Sequence, residues 1–351
     1  MDLVTRGSEY QDFLNCRRKW FHGWVEKITP KRPDGKLFFG SLFHKWLECY
    51  YKNGCDVLQA DAGTVAWMTE QDLSAMEQVD IDNMKVLYQG VRQNYIDKYH
   101  ESDKKWNVLA TEVEFLVKLD EGQFFTGTID LVYEEDGEIK FADHKCVSSL
   151  DMYEEKSKMD RQISRYWWAL DMICQGVGRI KDKETDLWVV WHELQGKEIG
   201  GFIYNLIAKD YPREVKMLKS GLPSKDKAQK TSWDKYRAKL VELDLDIADY
   251  LDILEHLQNK PDPFLRRVKV IRGQQEKYSS VMEFYHTCND IHDVLVTIGT
   301  QPERIESMVY RNIGQQCEHM CQFKAICQTE IEGGNVQMVK NLAYKKNEER
   351  V

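Results

Sequence analysis

Gly127-Thr128-Ile129-Asp130 closes one apolar run, and Asp143-His144-Lys145 closes the next. Both runs have the alternation and length of strands, and Gly137 sits between them as a turn. A hairpin built on that turn brings Asp130, Asp143 and Lys145 to one end of a sheet. Two hard oxygen ligands beside one amine suit Mg²⁺-dependent phosphodiester cleavage. The acids hold the cation, and the amine orients water or neutralises the phosphorane. The main-chain carbonyl of His144, between Asp143 and Lys145, offers a further oxygen ligand. Two acids that merely end strands beside turns would look the same, so the pattern needs support from elsewhere in the chain.

Three other groups of residues offer that support. His44 lies on an apolar helix face with Leu42, Phe43, Trp46, Leu47 and Tyr50, and shares a side with Glu48. Its imidazole would add nitrogen to an oxygen site and so favour Mn²⁺ alongside Mg²⁺. Gln162 and Tyr166 share one face of the helix that follows the third strand. Glu112 and Glu114, on the first strand, would line or support the site. Cys317, Cys321 and Cys327 cluster near the C-terminus, and Cys16 stands alone near the N-terminus. Three close thiols and one distant partner fit a four-cysteine metal centre, either an iron–sulfur cluster or zinc, with His319 able to replace a thiol in the zinc case.

The elements that must position these groups read as follows. Residues 8–29 form a helix carrying Cys16. A second helix follows Phe39-Gly40-Ser41, and residues 62–100 continue helical. Strands run over Val108–Val117, Phe124–Tyr133, Glu138–Lys145 and Trp188–Leu194, with a helix over Gln162–Met172 between the last two. Residues 205–260 read as a helical insertion with a mobile loop at 220–227. One more strand occupies 267–272 and a helix 274–295. This order predicts an α/β sheet with helices packed on it, in a single domain over 1–334, followed by a loose charged tail over 335–351.

Composition narrows the function classes. The chain has 351 residues, of which 42% are hydrophobic, enough for a substantial core. No apolar run approaches the ~18 residues that span a membrane. The first residues lack the basic start and apolar core of a signal peptide, which points to the cytoplasm. Nine cysteines there imply free thiols or metal ligands rather than disulfides. A net charge of −9 argues against non-specific duplex wrapping but leaves room for a locally basic cleft. Basic clusters at Arg17-Arg18-Lys19, at Lys31-Arg32 and at Arg266-Arg267-Val268-Lys269 with Arg272 read as solvated faces.

With these pieces in order, the chain resembles the PD-(D/E)XK nuclease superfamily in its RecB-like branch. The matching pieces are Cys16, Gly40-Ser41-Leu42-Phe43-His44, Gly127-Thr128-Ile129-Asp130, Asp143-His144-Lys145, Gln162-Ile163-Ser164-Arg165-Tyr166, and Cys317, Cys321 and Cys327. They are most similar to the iron–sulfur members, which include CRISPR-associated RecB-like exonucleases, the AddB nuclease domain and phage-type relatives. The resemblance implies a restriction-endonuclease-like central mixed sheet flanked by helices. It implies His44, Asp130, Asp143 and the His144 carbonyl as Mg²⁺ or Mn²⁺ ligands, Lys145 as the catalytic lysine, and Gln162 and Tyr166 as its helix motif. A [4Fe–4S] cluster on Cys16, Cys317, Cys321 and Cys327 would staple the chain ends. The implied activity is exonuclease action on single-stranded DNA or DNA ends, in recombination, repair or phage DNA processing, with a helicase or recombination partner. A nuclease fold kept only for binding DNA or protein is the rival. The chain departs from the pattern at Arg17, where relatives often carry proline, in the three-residue gap between Cys317 and Cys321, and at Cys146, where Thr or Ser is common.

Overall fold

The computed structural model describes residues 2–31, 35–74 and 76–347, so Arg32 lies outside the described residues. A short strand, β1 (Leu3–Arg6), enters α1 (Gly7–Asn15). The helix expected over 8–29 is interrupted at Cys16, whose backbone is extended, and resumes as α2 (Arg17–Trp20) and a wide helical turn over Phe21–Val25. After β2 (Ile28–Pro30) come α3 (Gly35–Lys52), α4 (Val57–Thr69) and α5 (Gln78–Asp103). The helical stretch read at 62–100 is therefore two helices. Asp56 starts the first by accepting the N–H groups of Leu58 and Gln59.

Three strands follow: β3 (Asn107–Asp120), β4 (Gln123–Glu135) and β5 (Glu138–Val147). Gly122 and Gly137 turn the chain between them at φ of 71° and 81°, where glycine has no Cβ to clash. Then come α6 (Leu150–Ser157), α7 (Arg161–Cys174), the short β6 (Arg179–Lys181) and β7 (Trp188–Val189), and β8 (Ile199–Ala208). The remainder is α8 (Trp233–Glu242), α9 (Leu251–Asn259), β9 (Leu265–Val270), α10 (Gln274–Thr300), α11 (Ile305–Met308), α12 (Gln316–His319), α13 (Lys324–Ile331), α14 (Val336–Ala343) and β10 (Tyr344–Lys346).

The main sheet is mixed, in the order β7-β6-β3-β4-β5-β8-β9, with β1 added in parallel to one end of β4. β5 and β8 are parallel, and the crossover through α6 and α7 joins them. One face packs under α7 and α10 through Phe115, Phe125, Phe141, Trp167, Leu170 and Phe284. The other packs under α3 and α5 through Phe43, Trp46, Tyr50, Tyr95, Tyr133 and Ile207. This is the restriction-endonuclease-like architecture of a central mixed sheet flanked by helices.

One irregularity creates the site. β5 pairs with β4 only from Leu131 to Glu135, and β1 pairs with β4 only as far as Thr126. Residues 127–130 lie between these two pairings, on a stretch of β4 that neither β1 nor β5 covers. The sheet is split there, and the split exposes the motif that ends in Asp130.

Four expectations need correction. The fourth core strand is Ile199–Ala208, not Trp188–Leu194, of which only Trp188–Val189 is extended while His192–Leu194 forms a 3₁₀ turn. Gly200 and Gly201 disguised the true strand. A Cβ at Gly200 would stand 3.0 Å from the Glu138 side chain, a tight contact with β5 that glycine avoids. The insertion accordingly begins after Ala208 rather than at 205, and has its own small core of Tyr236, Leu240, Tyr250 and Ile253. The loop at 220–227 is tied down: Leu218 and Leu222 pair, and Ser224 accepts the Tyr236 hydroxyl at 3.0 Å. Finally, residues 336–346 are not a loose tail. They form α14 and β10, pair with β2, and bury Tyr344 against Ile28, Phe323 and Ile326.

Candidate active site

Asp130 stands at the edge of the split in the sheet. Its Oδ2 accepts the main-chain N–H of His144 at 2.7 Å, which would otherwise seek a partner in the missing ladder. The same oxygen lies 3.7 Å from Nδ1 of His44, delivered by α3 from the other side. Glu112 is flanked by the pairs Thr111–Leu131 and Val113–Ile129, so it faces Asp130 directly across β3 and β4. It holds a left-handed φ of 46° inside a strand, a strained conformation of the kind that collects at functional sites. Ligand atoms of His44, Glu112 and Asp130 all lie within 4.8 Å of one another.

Asp143 and Lys145 project together from β5, with Nζ 2.7 Å from Oδ2 and 3.0 Å from Oδ1. Burial, opposed by Lys145 and reinforced by Asp130, pushes the Asp143 carboxyl up to about 7. Burial, Asp130 and Glu48 push Glu112 up to about 8. Burial would lower Lys145, but Asp143 and Asp130 outweigh it and hold the amine protonated. Burial lowers His44, against the pull of Asp130 and a hydrogen bond to the main chain of His144. Three acids crowd round one ammonium and a neutral imidazole, and the raised Asp143 and Glu112 record a repulsion that a bound cation would relieve. Oxygen donors and one nitrogen, with acids that a cation would deprotonate, fit a divalent ion such as Mg²⁺ or Mn²⁺.

His144 plays a different part from its neighbours. Its ring turns inward onto α3, with its centroid 5.9 Å from the His44 ring. It stacks on Tyr51 at 5.7 Å and its Nδ1 accepts from Asn205 Nδ2 at 3.1 Å. Burial lowers its pKa to about 3, so the ring is neutral. Only its main chain belongs to the site. Asn205 also reaches Tyr95, which bonds Tyr51, and Tyr51 bonds the fully buried Asp103. Arg267 neutralises Asp103 at 2.6 Å. The cluster read as a solvated basic face thus sends one arginine into the core.

Gln162 and Tyr166 lie on α7, which Asp160 caps by accepting the Gln162 N–H at 2.9 Å. Their side chains hydrogen-bond each other, and burial with Asp143 raises the Tyr166 phenol. Both line the cavity that holds Lys145. A Cβ on Gly127 would stand 2.9 Å from the Tyr166 hydroxyl and 2.9 Å from the Phe115 ring. The motif requires glycine at 127 for that approach.

The cysteines meet elsewhere. Cys16, Cys317, Cys321 and Cys327 all line one cavity of about 290 Å³ between the start of α2, α12 and α13. Asn312 binds the Asn15 carbonyl at 3.0 Å, and Arg18 joins Glu306 and Glu330 at 2.9 and 3.0 Å, so both chain ends are tied around it. Burial raises Cys321, and burial with Glu330 raises Cys327. Four thiols around one mostly apolar cavity fit a thiolate-bound metal group. The His319 side chain lies outside the described residues. The sequence reading missed His22, which is 1% exposed, with Nδ1 on Glu26 at 2.7 Å and Nε2 unpartnered. Its ring nitrogen, Cys327 and Glu330 also lie within 4.8 Å of one another.

Among the described residues no helix is long and apolar enough to cross a membrane. A family model described as the PD-(D/E)XK nuclease superfamily matches residues 7–328, and no curated protein matches the chain.

Proposed function

The chain belongs to the PD-(D/E)XK nuclease superfamily, and from that premise we propose that it is a divalent-metal-dependent DNA nuclease of the RecB-like branch, acting as an exonuclease on single strands or ends. The observation that carries this reading is the convergence of His44, Glu112, Asp130, Asp143 and Lys145 where β5 leaves β4. A bound Mg²⁺ or Mn²⁺ would supply Lewis-acid activation of the phosphate and of water. Asp130, Asp143, His44 and the His144 carbonyl would hold it. Gly127, Thr128 and Lys145, which flank these donors in the chain, line the adjoining cavity. Lys145, kept charged by two acids, offers its ammonium to the phosphate oxygens as charge develops. Gln162 and Tyr166 fix the wall of the cavity against that ammonium. DNA recombination, repair or phage DNA processing in the cytoplasm, alongside a helicase, is the setting this branch suggests.

Purified protein incubated with labelled single- and double-stranded DNA, carrying 5′ or 3′ tails, tests the reading. Cleavage that needs Mn²⁺ or Mg²⁺ and disappears in Lys145→Ala is the expected result. DNA bound but uncut by the wild type under every metal condition would favour a binding module instead.

We infer further that Cys16, Cys317, Cys321 and Cys327 hold a [4Fe–4S] cluster that staples the chain ends. The unpartnered Nε2 of His22 beside Cys327 favours zinc as the second reading, since zinc accepts mixed sulfur and nitrogen donors. Anaerobic purification separates them: a brown protein with about four irons supports the cluster, and a colourless protein with stoichiometric zinc rejects it.

A further inference from the structure

The cavity that contains Lys145 is about 770 Å³ and runs past the catalytic lysine toward the start of α1. Arg165 of α7 lines it between Gln162 and Tyr166. This arginine is only 4% exposed, its Nε has no hydrogen-bond partner, and none of the ion pairs among the described residues includes it. Its guanidinium lies over the rings of Tyr10 and Phe284, at 4.6 and 5.6 Å, which fixes the group without neutralising it. A buried, unneutralised guanidinium is costly, and proteins keep one where an anion completes it.

The opposite wall supplies matching groups. α1 has nine residues, and its first turn, with Gly7 and Ser8, lines the same cavity. Arg6 precedes the helix in extended conformation and gives no side-chain cap. Glu9, the one acid of that turn, is engaged by Trp20 Nε1 at 3.0 Å. The partial positive charge of the helix start therefore faces the cavity. Two carboxylates also line it, and both have partners elsewhere. Asp12 holds Lys19 at 2.7 Å and Trp24 Nε1 at 3.0 Å, while Asp160 caps α7 and accepts the Tyr204 hydroxyl at 2.8 Å.

We propose that Arg165 and the first turn of α1 form a phosphate subsite that grips the substrate strand beside Lys145, away from the metal ligands. The proposal rests on the nuclease reading of the adjoining site. A planar guanidinium takes two phosphate oxygens at once, and helix N–H groups take the remaining lone pairs. The phosphate is either an internal diester or the monoester at a strand end. Holding it sets the register of the strand over Lys145.

The test is binding of a fluorescent oligothymidylate in EDTA, where no cleavage occurs, with 5′-phosphate and 5′-hydroxyl forms and a salt series. Wild type, Arg165→Met and Arg165→Lys are compared, each with a melting curve. Arg165→Met is expected to weaken binding about tenfold and to reduce the salt slope by about one. Its melting temperature should hold or rise, because an unneutralised buried charge is gone, whereas an arginine with a purely structural role would lower it. Arg165→Lys, which keeps the charge and loses the fork, should fall between the two in affinity. A loss confined to the 5′-phosphorylated strand identifies a terminal phosphate, and an equal loss for both identifies an internal one. Unchanged affinity and slope in both variants overturns the subsite and leaves the nuclease reading standing. A wild type that binds neither oligonucleotide overturns both.

Discussion

Asp130 accepts the His144 N–H at 2.7 Å across the gap that opens where β5 parts from β4. One carboxylate thus closes a broken strand ladder and lies among the proposed metal donors. The two tasks separate by substitution. Asp130→Asn keeps an acceptor for the His144 N–H but removes the charge. It should melt close to wild type while Mn²⁺ affinity and cleavage collapse. Asp130→Ala strands a buried N–H as well, at a further cost of about 1–3 kcal/mol. Calorimetric Mn²⁺ titration and thermal melts of both variants give the comparison. Equal melting temperatures for Asn and Ala would show that the hydrogen bond carries no stability.

The metal-free protein should respond to pH in the sense opposite to ordinary acid unfolding. Burial raises Asp143 to about 7 and Glu112 to about 8, from 3.8 and 4.5. Between the unfolded and folded values the native chain holds protons that the unfolded chain has released. Stability attributable to these groups is therefore present on the acid side and lost as pH rises through the window. Melts in EDTA from about pH 6 to about pH 8.5 should show a falling transition temperature. Glu112→Gln should flatten the fall, and so should added Mn²⁺, which binds the deprotonated acids. A Glu112→Gln profile parallel to wild type would remove Glu112 from this account.

Gly127→Ala probes the seat of Tyr166. The added Cβ would meet the Tyr166 hydroxyl and the Phe115 ring at 2.9 Å, and Phe115 is fully buried. Overpacking of this kind costs about 1–3 kcal/mol. The tyrosine end is the easier to displace, so catalysis should fall more than stability. Cleavage rate against melting temperature reads this directly, and Tyr166→Phe in the Gly127→Ala background should recover part of the stability.

Much of this site was legible because its signals are local. Asp130, Asp143 and Lys145 close short runs of strand alternation, and the turn glycine between those runs, Gly137, has a positive φ. α7 declares itself by helical periodicity, which is why Gln162 and Tyr166 could be placed on one face. What stayed hidden depends on distant packing. Gly200 and Gly201 carry no strand signal of their own, and the strand they open shows only when β5 is laid beside it. The tail became α14 and β10 only because β2, over three hundred residues earlier in the chain, offers an edge. Arg267 looked like surface because nothing nearby in sequence announces Asp103. His22 belongs to no motif, and Arg165 falls inside one without being one of its named positions. Each is singled out by a buried nitrogen without a partner, which is a property of the fold.

His44 should set metal preference rather than metal binding as such. Burial lowers its pKa, so near neutral pH the ring offers a lone pair. An imidazole contributes more to Mn²⁺ than to Mg²⁺. His44→Ala should weaken Mn²⁺ by about tenfold or more and Mg²⁺ by less, narrowing the ratio of the two affinities. His44→Asp should restore Mg²⁺ in preference. Calorimetry with each cation, without DNA, is the measurement. A uniform loss for both metals would remove the preference, and no loss for either would place His44 outside the ligand set.

The inward side of His144 makes the last prediction, which concerns how a buried ion pair holds a metal site in place. Arg267 and Asp103 are 14% and 0% exposed, joined at 2.6 Å. Tyr51, Tyr95 and Asn205 continue the hydrogen bonds to the His144 ring, whose main chain lies between Asp143 and Lys145. Removing one charge leaves the other buried alone. Arg267→Ala should therefore cost about 3–5 kcal/mol. Asp103→Asn leaves a guanidinium still held over Tyr99 and Trp106, at 3.8 and 4.5 Å, and should cost less. The double substitution Asp103→Leu with Arg267→Met removes both charges, and its cost should fall well short of the sum of the single ones. Asn205→Leu acts nearer the site. It frees the His144 ring without touching any acid, so Mn²⁺ affinity should drop while Asp103 and Arg267 stay paired. If unfolding and Mn²⁺ titration show Asn205→Leu binding metal as wild type does, the network serves the core alone, and the position of His144 is set by β8 and Asp130.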